Sequence, residues 1–134
     1  MANAALYKKL LLKPGMKIRL LNTPDEYRND LLPLPAGVAL ADQCADGTCD
    51  LVQLFVRSAA DLADWADEAT ACVKPDGLLW IAYPKKTSAI KTDIDRDHGW
   101  EAVAKKGLRI VSLFSIDATW SAARLRPSDK VTRK

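Results

Sequence analysis

Apolar positions along the chain recur in two rhythms, one helical and one near-continuous, and they alternate from end to end. Residues 4–12 read as a short amphipathic helix, stopped by Lys13, Pro14 and Gly15. Met16 to Leu21 is a first apolar strand. Thr23 then supplies a helix N-cap, with Pro24 at the first helical position and Glu26 two further on, a capping box. That helix is predicted to run to about Leu32, ended by Pro33 and Pro35. Residues 37–41 form a short second strand. Residues 50–56 form a third, with the near-continuous apolar character of a strand buried on both faces. Ser58 caps the next helix, where Leu62, Trp65, Ala66, Ala69 and Cys72 share one face.

The spacing then predicts a turn at 74–77, a fourth buried strand over 78–83, and a polar loop over 85–92. A helix follows from about Asp93 to Lys106, with Trp100, Val103 and Ala104 on one side and Gly107 as its C-cap. Residues 108–115 and 119–125 are the last two strands, joined so tightly that they must form an antiparallel hairpin. Alternating strands and helices call for a three-layer, Rossmann-like α/β fold. Its sheet is mostly parallel, with about six strands and a C-terminal antiparallel hairpin.

Length and composition narrow the class. A chain of 134 residues, 49% hydrophobic, suits one domain, expected over 1–126, followed by a basic disordered tail at 127–134. The longest apolar runs are too short to span a bilayer, and the first residues lack the pattern of a signal peptide, so a cytoplasmic location is expected. The net charge of +3 is uneven: residues 1–23 carry five basic and no acidic side chains, and residues 124–134 carry five basic and one acidic. Basic ends of this kind are more often solvated than nucleic-acid-binding, so nucleic acid is not expected as a partner. The odd count of cysteines, Cys44, Cys49 and Cys72, points to free thiols, the first two on a surface loop. Their spacing and the single histidine speak against a metal site.

Four stretches carry a resemblance. Lys13-Pro-Gly-Met-Lys-Ile-Arg-Leu-Leu-Asn-Thr-Pro24, Asp50-Leu-Val-Gln-Leu-Phe-Val-Arg-Ser58, Trp80-Ile-Ala-Tyr-Pro-Lys-Lys-Thr-Ser88 and Ile116-Asp-Ala-Thr-Trp-Ser-Ala-Ala-Arg-Leu125 are similar to small bacterial proteins of domain-of-unknown-function family 3052. More widely, residues 50–84 and the closing hairpin resemble the second half of class I methyltransferases. That resemblance implies the strand order 2-1-3-4-6-5, with strand six antiparallel. The family name implies no activity.

In such a sheet, ligands bind beyond the C-terminal strand ends where the strand order reverses. Asn22, Arg57 and Ser58 would flank that crevice, with Lys85, Lys86, Thr87 and Ser88 alongside and Trp120 at the hairpin. The lysine–hydroxyl run is the best anion-binding candidate, although it has no glycine and is not a P-loop. Trp120 suits the core better than a stacking platform. Asp117 with Thr119 suits an Asx-type turn. His98 falls opposite the apolar helix face and is expected to be exposed, while Asp93, Asp95 and Asp97 read as charges at a helix N-terminus. The first turn lacks the usual Gly-x-Gly of a cofactor loop, Pro24 removes a donor, and Asp25 and Glu26 oppose phosphate. No clear acid ends strand two. No cofactor is therefore expected. The leading expectation is a non-enzymatic binding or interaction module on a degenerate methyltransferase-like scaffold. The alternative is a small enzyme acting on an anionic substrate at the same edge. Oligomeric state is left open.

Overall fold

The computed structural model describes residues 8–13, 15–25, 27, 37–40, 47–86, 88, 90–95, 98–116 and 119–127, apart from the side chains of 75 and 76. The strands are β1 (Lys17–Leu21), β2 (Ala39–Leu40), β3 (Cys49–Phe55), β4 (Val73–Pro84), β5 (Leu108–Ser115) and β6 (Trp120–Pro127). They form a six-stranded sheet in the order β2-β1-β3-β4-β6-β5. β1 pairs in parallel with β2 and β3, and β3 with β4. β6 runs antiparallel to both β4 and β5. The expected order and the antiparallel closing hairpin are both present. Among the described residues no helix is long and apolar enough to cross a membrane.

β3 shows why its sequence is apolar at nearly every position. Val52 and Leu54 enter one core with Leu79, Ile81, Ala123 and Leu125. Leu51 and Phe55 enter a second core on the opposite face with Ile18, Trp80, Ala82 and Ala122. Each fully buried leucine or isoleucine of these layers contributes about 1.5–3 kcal/mol. The helix α1 (Ala59–Cys72) covers the first face with Leu62, Ala66, Ala69 and Cys72. On the second face, Leu10 and Leu12 of the N-terminal segment and Tyr27 pack over the sheet. Trp80 Nε1 donates to the Leu10 carbonyl at 3.1 Å and so anchors that segment.

Buried among these apolar residues is Gln53, whose Oε1 accepts from the Tyr27 hydroxyl at 2.6 Å. Its Nε2 has no hydrogen-bond partner among the described residues.

Several local expectations change. Residues 74–77 lie within β4 rather than before it. Cys49 pairs with Val73 and Leu51 with Leu78, so the intervening β4 residues bulge opposite Asp50 alone. Asp50 holds the bulge by accepting from Lys74 Nζ at 2.7 Å and from Lys17 N at 2.8 Å. Gly77 is required here, because a Cβ would sit 2.8 Å from Val73 Cγ2.

The helix predicted over 93–106 shrinks to α2 (Glu101–Ala104). The acidic residues before it bond elsewhere. Asp93 Oδ1 accepts from Ala59 N at 2.8 Å, which caps α1. Asp95 folds a tight turn, accepting from His98 N at 3.0 Å while its own N–H donates to the His98 carbonyl at 3.0 Å. Gly99, at φ +96, then redirects the chain beside Ile94, which is fully buried. His98 is exposed as expected, with Nδ1 3.0 Å from Asp95 Oδ1. Asp97 lies outside the described residues.

The cysteines also depart from expectation. Cys49 is buried and disulfide-bonded rather than a surface thiol. Cys72 is the free thiol among the described residues, buried, with Arg19 Nη1 2.9 Å from its sulfur. Cys44, Glu26 of the capping box, Thr87, Asp117, most of the helix predicted after Thr23, and the tail from 128 to 134 lie outside the described residues.

Candidate functional site

The strand order reverses between β1 and β3, and a cavity of about 310 Å³ opens beyond their C-terminal ends. Its first wall is the end of β1. The chain leaves the sheet through Asn22 at φ 51, a left-handed conformation that asparagine tolerates better than most side chains. Asn22 Nδ2 donates to the Phe55 carbonyl at 2.8 Å and so bridges the ends of β1 and β3. The Thr23 hydroxyl turns back to the Leu21 carbonyl at 3.2 Å, and Pro24 completes this wall.

The second wall is the junction of β3 and α1. Ser58 is the N-cap, its Oγ accepting from Asp61 N at 3.1 Å. Asp61 in turn accepts from Arg57 N at 3.0 Å. With Asp93 on Ala59 N, three donors at the start of α1 are taken by side chains of the chain itself. One turn beyond Asp61, Trp65 lines the same crevice and is half-buried. Trp120, at the start of β6, closes the floor edge-on to Phe55, with ring centroids 5.0 Å apart. It is only 7% exposed, so core packing and crevice lining are both its role.

Of the residues singled out from sequence, the structure thus gathers Asn22, Arg57 and Trp120 in one crevice, with Ser58 behind them as a helix cap. The lysine loop goes elsewhere. Lys85 N donates to the Thr119 carbonyl at 2.8 Å, and its ammonium bonds the Ser115 hydroxyl. Lys86 Nζ lies 3.7 Å from Asp95 Oδ2 and 3.4 Å from the Thr92 carbonyl. The Ser88 hydroxyl donates to the Lys85 carbonyl at 2.7 Å. None of these three lines the crevice.

Sequence reasoning missed Asp61 and Trp65 as crevice residues, placing Trp65 on the apolar helix face and singling out only Ser58 at the helix start. The available signal was their spacing: i and i+4 from the helix start place both on one side of its first turns. Among the described residues, the charged side chains lining the crevice are Arg57 and Asp61. The described residues contain no cluster of histidine, cysteine, aspartate or glutamate able to hold a metal ion.

This crevice on this sheet defines a Rossmann-like α/β protein of the methyltransferase-like kind, and similar solved structures agree. A SAM-dependent methyltransferase from Aquifex aeolicus aligns with TM-score 0.64 at 13% identity, over 91% of this chain and 87% of that one. A ribosomal protein L11 methylase from Lactobacillus delbrueckii subsp. bulgaricus aligns with TM-score 0.56 at 15% identity, over 92% and 76%. A SAM-dependent methyltransferase from Leishmania major aligns with TM-score 0.52 at 12% identity, over 92% and 70%. At such identities the likeness is one of fold. No curated protein shows significant sequence similarity to the chain. The chain belongs to the family described as protein of unknown function (DUF3052), which matches residues 9–129.

The methyltransferase-like fold implies S-adenosylmethionine, and the first turn does not suit it in the usual pose. The place for close approach to the end of β1 holds the Asn22 side chain, already bonded across to Phe55 O. Neither Thr23 nor Pro24 supplies the glycine conformations of a cofactor loop, and Pro24 offers no backbone donor.

Proposed function

We propose that the chain is a non-enzymatic binding module, which keeps the ligand crevice of a methyltransferase-like scaffold and has closed its cofactor turn. The observation that carries this reading is the Asn22–Phe55 bridge at 2.8 Å, which spends the open end of β1 on the protein's own backbone. Two further features support it. Two donors of the first turn of α1, Ala59 N and Asp61 N, and the preceding Arg57 N are taken by side chains of the chain itself, which leaves less for an anion. Among the described residues, the side chains lining the crevice include no histidine, cysteine or lysine to act as base or nucleophile.

The enzyme reading, with an anionic substrate held by Arg57, Lys85 and Lys86, needs three cations in one place. Two of them are bonded to Ser115 and to Asp95 with Thr92, outside the crevice.

Calorimetry of the full chain with S-adenosylmethionine and with nicotinamide nucleotides tests the proposal. No heat of binding is expected from either. Micromolar binding of S-adenosylmethionine, lost in a variant that blocks the crevice such as Thr23→Trp, would overturn it.

A further inference from the structure

Among the described residues the sheet has two unlike edges. β2 ends one side with two residues, Ala39–Leu40, while β5 ends the other with eight, Leu108–Ser115. An edge strand presents unpaired main-chain donors and acceptors, which proteins blunt by shortness, charge, proline or a bulge. Shortness blunts β2. β5 has a bulge between Ile110 and Ser112 and one charge, Arg109, both in its first half. Its second half, from Ser112 to Ser115, is regular, uncharged and without proline.

The hydrogen-bond register fixes which groups this half offers. The Lys85 N–H donates to the Thr119 carbonyl, so alternation along the β4–β6 ladder turns the backbone of Ser121 and Ala123 toward β4. The Ile116 N–H donates to the Trp120 carbonyl, so the same alternation along β5–β6 turns Phe114 and Ser112 toward Ala122 and Arg124. The two ladders agree, and together they direct the N–H and C=O of Leu113 out of the sheet. The Leu113 side chain is 38% exposed, one of two large apolar side chains so open among the described residues. On the other face Phe114 is half-buried under Lys9, whose Nζ lies 5.7 Å from the ring centre.

We infer that this edge pairs with a second copy of the chain, β5 against β5, antiparallel about a two-fold axis at Leu113. At that axis each Leu113 N–H donates to the Leu113 carbonyl of the other copy, with Cα atoms about 5.5 Å apart. The two exposed leucine side chains then stand on one face and cover each other. A foreign peptide would have to bring its own apolar side chain to that spot, whereas a second copy supplies it by symmetry. Charge allows this register: the two Arg109 side chains fall about 27 Å apart along the strands, beyond the range of screened repulsion. The β2 edge is too short to continue the pairing, so association closes as a dimer and does not run on as a fibre. A single strand pair is a small interface beside the roughly 1,200–2,000 Å² of stable complexes, so the dimer is weak. None of this depends on what the crevice binds, because the crevice lies at the β1 and β3 ends.

The test is sedimentation equilibrium of the full chain from micromolar to near-millimolar concentration, with amide hydrogen exchange by NMR on the same samples. The average mass should climb toward that of two chains. Exchange at the Leu113 amide should slow by about tenfold when nine-tenths of the chain is dimer, while the Phe114 amide, bonded to β6, should exchange slowly at every concentration. Leu113→Lys should weaken the dimer at least tenfold with the melting temperature unchanged. Leu11→Lys, at the other exposed large apolar side chain, should leave it intact. A chain that stays monomeric at the highest concentration overturns the inference. So does a dimer in which the Leu113 amide exchanges as in the monomer, a reading that needs no variant. A folded Leu113→Lys protein that dimerises like the native chain, or a Leu11→Lys protein that does not dimerise, also overturns it.

Discussion

Replacing Asn22 separates two effects that the structure combines at one residue. Its backbone sits at φ 51, and its side chain donates to the Phe55 carbonyl at 2.8 Å. Asn22→Gly keeps the left-handed backbone at little steric cost and removes the hydrogen bond, which costs about 0.5–1.5 kcal/mol net. Asn22→Ala removes the same bond and also puts a Cβ into the left-handed region, at an additional cost of about 1–2 kcal/mol. Alanine should therefore be less stable than glycine by about 1 kcal/mol or more, the reverse of their order in a helix or strand. Asn22→Asp keeps the shape, but a carboxylate oxygen then faces the Phe55 carbonyl oxygen, so it should fall below glycine at neutral pH. Urea denaturation is the assay. With an m-value of roughly 2 kcal/mol/M, a difference of 1 kcal/mol moves the midpoint by about 0.5 M. Alanine as stable as glycine would refute the left-handed backbone at 22. Glycine as stable as the native protein would refute the bridge to Phe55, and with it the closed cofactor turn.

The capping of α1 and the acid behaviour of Asp50 give the other stability predictions. Ser58→Ala and Asp93→Ala each remove one acceptor from the start of α1, at 3.1 Å and 2.8 Å, and each should cost about 1 kcal/mol in denaturation; unchanged midpoints would reject these caps. The hydrogen bond from Lys74, helped by Lys17 N, holds the Asp50 carboxyl below its ordinary range of about 3.8, with burial opposing. Because the folded form is the one with the depressed value, this contribution is fully present above the unfolded carboxylate range and is lost as pH falls through the folded value. Asp50→Asn should thus lose less stability than the native protein between pH 5 and the onset of acid unfolding. Parallel acid limbs in denaturant melts of the two proteins would count against the Lys74–Asp50 contact.

How much of this was legible in the sequence follows from where the information lies. Strand positions were legible because burial on both faces leaves few alternatives to an apolar residue. β3 reads as strand because Leu51 and Phe55 must fill one core while Val52 and Leu54 fill the other. The β5–β6 hairpin was legible because its connection is too short for any other geometry. The polar loop at 85–92 was legible as a loop, but the chain from Asp93 to Trp100 was not, because Asp93 and Asp95 bond to backbone across the fold or close by, and a helix-like run of acids carries no mark of that. Asp93 reaches α1, and Asp95 closes its own turn with His98.

The same distinction governs the crevice. Topology placed Asn22 and Arg57 together, since both follow strands at the point where the order reverses. Lys85 also follows a parallel strand, but β4 pairs on its far side with antiparallel β6, and the Lys85 N–H bonds to Thr119 just before β6 begins. That bond directs the lysine loop toward the hairpin and away from the β1–β3 opening. A cation at a strand's C-terminal end is therefore informative about a site only when the neighbouring strand is the one across the switch point. By that criterion Arg57, which follows β3 directly across the switch point from Asn22, is the cation that lines this crevice among the described residues, while Lys85 and Lys86 do not.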